Sequence, residues 1–600
     1  LFESRLMLLS SFNSCLNRLL VFMLCPSLAL AQAGAVVPSA DSTIRVTTRI
    51  VYVDVVVHDS GGRLVKGLTR DDFRLSEDGK AQQIDYFVAH TYEVAGAHPA
   101  APVPQNGEFE NVPTSGPAGS VNMILFDLVN TAPADQQYAR GQMLEFLRAL
   151  PPGQQVALFV LSDQLHMFQS FTGSSDLLVA AAKMINPKNM RLIQSDAEQQ
   201  RDIDNLGHIE EALGGRDPGA SVQALANQLT AENVQTAEIR QRITLSAFSE
   251  IAHAAAGYPG RKNLYWMSGS FPFSIATQGL YNLTAPQQFS TLNIPNTPIS
   301  DTNAVADTAR LVANSQIAVY PISALGLEVG GVGPEVSGIA TAGLGGSSPV
   351  ASGPNGSNSV NHSLGQTLGQ QFTNRSALHT TMNDIAYQTG GEAVFGSNDL
   401  AGAMRRTIED GSNYYTLAYR PLNHDWDSKF RKIKVELSKS GYSLSYRRGY
   451  FAFPDQLTNA DTAEELNSAL QPEAPEATLL LLKGKVELPD AANPDLHVIS
   501  TVDPGNVEFS TDAAGHRHAK LLVLLVALND GPNQPDSPPQ TSGTIHVDLD
   551  PSEYAAVLKS GIAFQQKLAL KPGKYRLRLG VSDMNNHRLG TLDMPVVVGG

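Results

Sequence analysis

"VNMILFDLVNT", residues 121–131, decides the fold class of the chain. From Val121 to Phe126 the run is apolar, broken only by Asn122. That is the pattern of a strand covered on both faces, as parallel strands between helix layers are. The strand stops on Asp127, Asn130 and Thr131 follow, and Pro133 stands where a helix makes its first turn. Met143, Phe146, Leu147 and Leu150 then recur at helical spacing. The acid at the turn admits two readings. It is an oxygen ligand for a hard cation, or, together with Thr131, it bonds the free backbone N–H groups where the helix starts.

Strands and helices alternate from there. "QQVALFVLSD" (154–163) is the next strand, with "LHMFQSF" (165–171) as an antiparallel neighbour, and "SSDLLVAAAKMI" (174–185) is a helix capped by Ser174 or Ser175. Residues 186–232 are polar and irregular, with a partly helical stretch left open. "AEIRQRITLSAFSEIAHAAA" (237–256) carries Ile239, Ile243, Ala247 and Ile251 along one helical stripe. "KNLYWMSGS" (262–270) and "SQIAVYPISA" (315–324) are buried strands. A helix near 376–389, the strand "EAVFG" (392–396) and a helix near 399–410 follow. This alternation predicts an α/β fold, a doubly wound Rossmann-type sheet with helices on both faces, over residues 120–411. Residues 326–375, rich in Gly, Ser and Asn, are an insertion within it.

The flanks are β. Val51, Val53, Val55 and Val57 alternate along a half-buried strand, and Asp78-Gly79 marks a hairpin, so residues 42–92 form a β module. "NYYTLAYRP", "FRKIKVELS" and "YSLSYRRGYF" return to strand periodicity, and residues 412–453 are expected to complete that module. Residues 93–119 and 454–475 read as linkers. In residues 476–600, "GKYRLRLGVSD" alternates Tyr575, Leu577, Leu579 and Val581 with basic residues. Short strands at this spacing predict an immunoglobulin-like sandwich.

Six hundred residues make room for roughly four domains of about 150 residues. The net charge of −15, with no block of Lys or Arg, gives no footing for nucleic acid or anionic lipid. Residues 1–31 read as a secretory signal peptide: Arg5 and Arg18, then "LLVFMLCPSLALA" ending on Ala29-Leu30-Ala31. Leu24 precedes Cys25 where a lipoprotein signal needs a small residue. Both cysteines, Cys15 and Cys25, lie in this leader, so thiolate chemistry is excluded downstream of it. No later apolar run approaches the ~20 residues of a membrane span; "LLVLLVAL" (521–528) has the length of a buried strand. The expected location is secreted or periplasmic.

Four motifs in order resemble those of the secreted VWFA-related proteins of the acidobacterial type: "GLTRDDFRLSEDGK", "ILFDLVNT", "PGRKNLYWMSG" and "NYYTLAYRP…FRKIKVELSKSGYSLSYRRGYF". The match runs from about Ile44 to Phe453 and omits the C-terminal sandwich and the Gly-rich insertion. The resemblance implies a von Willebrand factor A-like domain, a fold that binds other proteins and is not usually an enzyme. It also implies a metal-ion-dependent adhesion site: D-x-S-x-S after the first strand, a Thr from a later loop and an Asp after the fourth strand. Together with water and an acid of the partner, these give Mg²⁺ its six or so oxygens. Here Asp127 matches the first Asp, Val129 falls where the first Ser belongs and Thr131 matches the second Ser. Asn130 offers an amide oxygen out of pattern. Ser268 or Ser270 stands in for the later Asp, and Thr230 and Thr236 are candidates for the loop Thr. The implied metal set is therefore Asp127, Thr131 and Ser268, a degenerate site for Mg²⁺ or another divalent cation.

Other constellations carry less. "GHIEEAL" holds His208, Glu210 and Glu211 without the second His of a zinc helix. "HRH" (516–518) sits in a polar loop without a partner cluster. "MSGSFP" is not G-x-S-x-G, "GGVGPEVSG" does not lead a strand into a helix, and no P-loop is present. Trp266, Tyr414, Tyr415 and Tyr419 read as core. The functional expectation is an exported, non-enzymatic protein-interaction module that meets a protein or cell-envelope partner through the rim around Asp127, Thr131 and Ser268. A secreted metal-dependent hydrolase and a structural envelope protein with no ligand at that rim stay open as alternatives.

Overall fold

Val51, Val53, Val55 and Val57 are buried along β1 (Val51–Asp59). In the computed structural model this strand lies between β11 (Tyr414–Tyr419) and β13 (Tyr442–Ser445), and β11 also pairs with β4 (Tyr86–His90), all antiparallel. A second antiparallel sheet contains β2 (Phe73–Glu77), β3 (Lys80–Gln82), β12 (Phe430–Leu437) and β14 (Gly449–Phe451), in the order β14-β12-β2-β3. Val53, Val55, Phe73, Leu75, Leu417, Ile433 and Val435 form one core between the two sheets. The β2–β3 connection is Asp78-Gly79, with φ of 49° and 81°. Two successive left-handed residues give the turn whose twist suits a two-residue hairpin.

The structure describes residues 50–91, 107–112, 120–151, 154–185, 219–258, 260–271, 308, 311–312, 315–325, 379–427, 429–452, 459–472, 474–489, 494–529, 537–586 and 588–599. The leader 1–31 and the insertion 326–375 lie outside them, as does the "GHIEEAL" segment.

The middle sheet consists of β6 (Val121–Asp127), β7 (Val156–Leu161), β8 (Leu165–Thr172), β9 (Lys262–Ser268) and β10 (Ile317–Ser323), in the order β10-β9-β6-β7-β8. All pairings are parallel except that of the edge strand β8. Every residue of β6, β7, β9 and β10 is buried, because both faces are covered. On one face, α1 (Pro133–Arg148), α2 (Ser175–Met184) and α5 (Leu400–Gly411) bring Phe146, Leu147, Leu178, Met404 and Ile408 onto Ile124, Phe126, Leu158 and Tyr265. On the other, α3 (Gly219–Ala256) and α4 (379–389) bring Leu245, Phe248, Ile251, Met382 and Ile385 onto Met123, Leu125, Leu264, Trp266 and Val319. The chain runs from β6 outward to β7 and β8, then crosses to the other side of β6 to lay down β9 and β10.

The end of the polar stretch 186–232 is helical and continuous with α3, which begins at Gly219. One expected element differs. "EAVFG" contributes one parallel bridge, Val394 to Ile322, instead of a strand. Gly390 just before the segment and Gly396 at its end hold φ of 81° and 65°.

The C-terminal body has two antiparallel sheets. One joins β5 (Glu108–Glu110), β15 (Leu482–Glu487), β16 (Leu496–Val502) and β20 (Ile562–Leu568) in the order β20-β16-β15-β5. The other joins β17 (Ser510–Thr511), β18 (Arg517–Asn529), β21 (Gly573–Asp583) and β22 (Leu589–Val598), with β19 (Gln540–Leu549) on β18. Leu482, Val498, Leu521, Val523, Leu579, Val581 and Leu592 fill the space between them. α7 (Pro551–Ser560) starts on a capping box formed by Asp550 and Glu553.

Both stretches expected as linkers contain structure. β5 lies within 93–119 and pairs with β15. α6 (Asn459–Ala469) lies within 454–475, and Leu466 and Leu470 cover Leu524, Val526, Leu528 and Leu589. Gly580 permits that approach: a Cβ there would stand 2.6 Å from Leu466 Cδ1. Among the described residues no helix is long and apolar enough to cross a membrane.

Candidate functional site

β6 ends on Asp127 and β9 ends on Ser268, its immediate neighbour in the sheet, at the point where the strand order reverses. Open α/β sheets gather ligands in the crevice beyond such a point. Here the crevice is occupied by the chain itself. Asp127 is fully buried. Its Oδ1 accepts the Asn130 backbone N–H at 2.9 Å, and its Oδ2 accepts the Asn130 side-chain amide at 2.8 Å. Oδ2 also accepts the Trp266 indole N–H at 2.9 Å and lies 3.0 Å from the Ser268 hydroxyl, whose one proton it shares with the Ser270 carbonyl. Burial pushes the Asp127 carboxyl above the usual carboxylate range, and these donors pull it back only in part.

A second layer holds the first. Asn130 Nδ2 also donates to Thr244 Oγ1 of α3 at 2.9 Å, and Thr244 donates to the Arg240 carbonyl at 2.7 Å. Thr131 Oγ1 accepts the Gly269 N–H at 2.9 Å, and Ser270 Oγ donates to the Asn130 carbonyl at 3.2 Å. The β6–α1 turn and the loop after β9 are thus stitched directly together. A Cβ at Gly269 would lie 3.1 Å from both the Asn130 carbonyl oxygen and Thr131 Cα, which shows how little space separates them. Gln136 ties the turn from below, donating to the Leu128 carbonyl at 3.2 Å and the Thr131 carbonyl at 2.7 Å.

The structure therefore brings Asp127, Thr131 and Ser268 into one cluster, in different roles. Neither Asp127 nor Thr131 caps α1: the N-cap is Ala132, which makes no side-chain cap bond. Asp127 instead holds the turn N–H of Asn130, and Thr131 holds the opposite loop. Ser270 is half-buried and contacts the turn, not the carboxylate. Of the two threonines expected to serve the site, Thr236 is half-buried and the side chain of Thr230 lies outside the described residues. The threonine that reaches the cluster is Thr244.

The donor set does not fit a hexacoordinate Mg²⁺. It has one carboxylate, its lone pairs aim at N–H and O–H groups, and Val129 is aliphatic and buried where a hydroxyl would be needed. Among the described residues no group of three or more His, Cys, Asp or Glu could hold a metal ion. The nearest acceptor of the Ser268 hydroxyl is the Ser270 carbonyl, at 2.6 Å. The "HRH" segment does have partners: His516 and His518 lie 3.4 and 3.3 Å from Asp548, and His518 lies 3.3 Å from Asp512.

No protein-family model matches the chain, and no curated protein matches it. Among solved structures it is similar to an aerotolerance-related membrane protein from Bacteroides fragilis, at 12% identity and a TM-score of 0.23, over 48% of this chain and 98% of that one. It is also similar to proximal thread matrix protein 1 of the mussel byssus, at 10% identity and a TM-score of 0.22, over 49% of this chain and 47% of that one. A third is the human COPII-coat protein Sec24c, at 11% identity and a TM-score of 0.20, over 57% of this chain and 46% of that one. At these scores the likenesses carry nothing forward, and the site rests on its own geometry.

Proposed function

We propose that the chain is an exported protein-interaction module of the adhesion type. In this reading a von Willebrand factor A-like domain, set in a β module and followed by an immunoglobulin-like sandwich, meets a protein or cell-envelope partner through the rim above Asp127, Thr131 and Ser268. The observation that carries it is the 3.0 Å contact between Asp127 and Ser268. It places the two motif positions side by side at the reversal of a mostly parallel sheet, where such folds present ligands. Catalysis is not part of the proposal. Ser268 is engaged with a carbonyl, and Thr131 accepts a backbone N–H. A structural envelope protein with an idle rim is the second reading, favoured by the complete burial of Asp127.

The test is a photo-crosslinkable residue at Ser270 on the rim, compared with one at Gln388, near the opposite end of the sheet beside Arg261 and Gln316. Exposure to an envelope fraction is expected to give a discrete adduct from position 270 alone. Equal adducts from both positions, or none from 270, reject the interaction role.

A further inference from the structure

We infer that the rim around Asp127 works without a divalent cation, because the chain's own donors crowd that carboxylate and the two turns above it close on each other. The inference rests on the reading of this rim as the binding edge, and it changes what that edge asks of a partner.

Three independent features lead to it. Asp127 is crowded by the chain's own groups: the Asn130 N–H meets Oδ1, and Asn130 Nδ2, Trp266 Nε1 and the Ser268 hydroxyl stand within 3.0 Å of Oδ2, which has only about two lone-pair positions to offer. These groups are fixed by the fold. Trp266 Nε1 belongs to a ring packed edge-on against Phe248 and Phe271, with centroids 4.8 and 4.5 Å away. Asn130 Nδ2 is tied to Thr244 of α3. Second, the hydroxyls of the expected ligand set are engaged within the chain: Thr131 Oγ1 accepts the Gly269 N–H, and the single Ser268 proton lies between the Ser270 carbonyl at 2.6 Å and Asp127 Oδ2 at 3.0 Å. Third, the two loops that would have to part around a hydrated ion are in contact at Gly269, with Asn130 and Thr131 against it. Mg²⁺ demands near-octahedral oxygen coordination and gives up its waters reluctantly. Admitting it would mean breaking the indole and amide bonds and separating the turns.

A cation-bearing rim recruits an acidic side chain of its partner to complete the metal shell. This rim has no such vacancy, and the carboxylate beneath it is sealed. Recognition then falls to the loop surface through Ser270 and neighbouring backbone groups, and needs no acid on the partner.

The experiment titrates the full chain with MnCl₂, MgCl₂ and CaCl₂ by calorimetry and follows Mn²⁺ by paramagnetic resonance. It also compares thermal midpoints in EDTA and in millimolar Mg²⁺. The expected result is no saturable binding and coincident midpoints. Titration of EDTA with MnCl₂ in the same buffer serves as the sensitivity control. Saturable, near-stoichiometric Mn²⁺ binding by the wild type that is lost in Thr131→Val overturns the inference. So does a Ser270 crosslink that EDTA abolishes and Mg²⁺ restores. A missing crosslink under both conditions counts against the interaction role alone, and the titration still decides the cation question.

Discussion

The indole N–H of Trp266 ends on Asp127 Oδ2, 2.9 Å away on the neighbouring strand. In register Trp266 sits beside Leu125, so Asp127, two residues further along β6, projects from the same face. A core side chain therefore reaches up to fasten the sheet's upper edge. Trp266→Phe keeps an aromatic ring between Phe248 and Phe271 but removes the donor. Lost ring volume and an under-satisfied buried acceptor together should cost about 2–4 kcal/mol in urea unfolding. An unchanged midpoint would mean that the indole bond contributes nothing.

Thr131→Val removes the acceptor for the Gly269 N–H while keeping the shape of the side chain. The expected loss is about 1–3 kcal/mol for the unsatisfied donor. The sharper readout is hydrogen exchange: the Gly269 amide should lose protection while amides in the centre of β9 keep theirs.

Stability should fall as pH rises from about 5 to 7. Glu250 on α3 accepts hydroxyls from Ser246 at 3.1 Å and Ser468 of α6 at 3.0 Å, and dehydration there pushes its carboxyl up to about 7. Dehydration, reinforced by Asp593, raises Glu476 to about 7 as well. Such acids contribute their full stability below the unfolded value near 4.5 and lose it as pH climbs through about 7. His253 opposes them. Burial lowers it from 6.5 to about 4, so its contribution is present above 6.5 and lost as pH falls through about 4. Two carboxyls outweigh one imidazole. Denaturation midpoints measured from pH 5 to 8 should show the decline, and Glu250→Gln should flatten it.

Gly391→Ala should be costly. The new Cβ would lie 1.9 Å from the Val319 carbonyl oxygen of β10, and a fully buried strand backbone cannot withdraw. A loss of at least about 2 kcal/mol is expected. Gly141→Ala is the counterpart: the position is exposed on α1 with nothing within 4 Å, and Ala should stabilise by about 0.5–1 kcal/mol. Thermal melts of the two variants should move in opposite directions.

The strands of the middle sheet were legible because burial on both faces leaves an apolar run that no surface strand tolerates, as in Val121–Phe126. The Asp78-Gly79 hairpin was legible because two left-handed residues have few sequence solutions. The partners of Asp127 were not. Trp266 reads as core because its ring is core, and nothing in sequence shows that one ring nitrogen faces an acid. Thr244 lies on a helix far along the chain, and only packing of α3 against the sheet brings it to Asn130. Arg261 was missed as well, although it is buried and its Nη2 donates at 3.1 Å to Tyr320 Oη and at 2.6 Å to the Gly390 carbonyl. β5 and α6 read as linker in sequence because each is short and polar on one side, and their apolar residues gain meaning only against the C-terminal sheets.

β1 and β5 have a consequence for how the chain is made. Their hydrogen-bonding partners, β11 and β15, are translated several hundred residues later. As the polypeptide emerges, β1 must stay uncommitted until Tyr414–Tyr419 has been made, and β5 until Leu482–Glu487 has. Closing such distant pairs is slow and leaves adhesive edges open meanwhile. A fragment cut at residue 454 would hold β15 with one bare flank, and we expect it to clump during refolding where the intact protein does not.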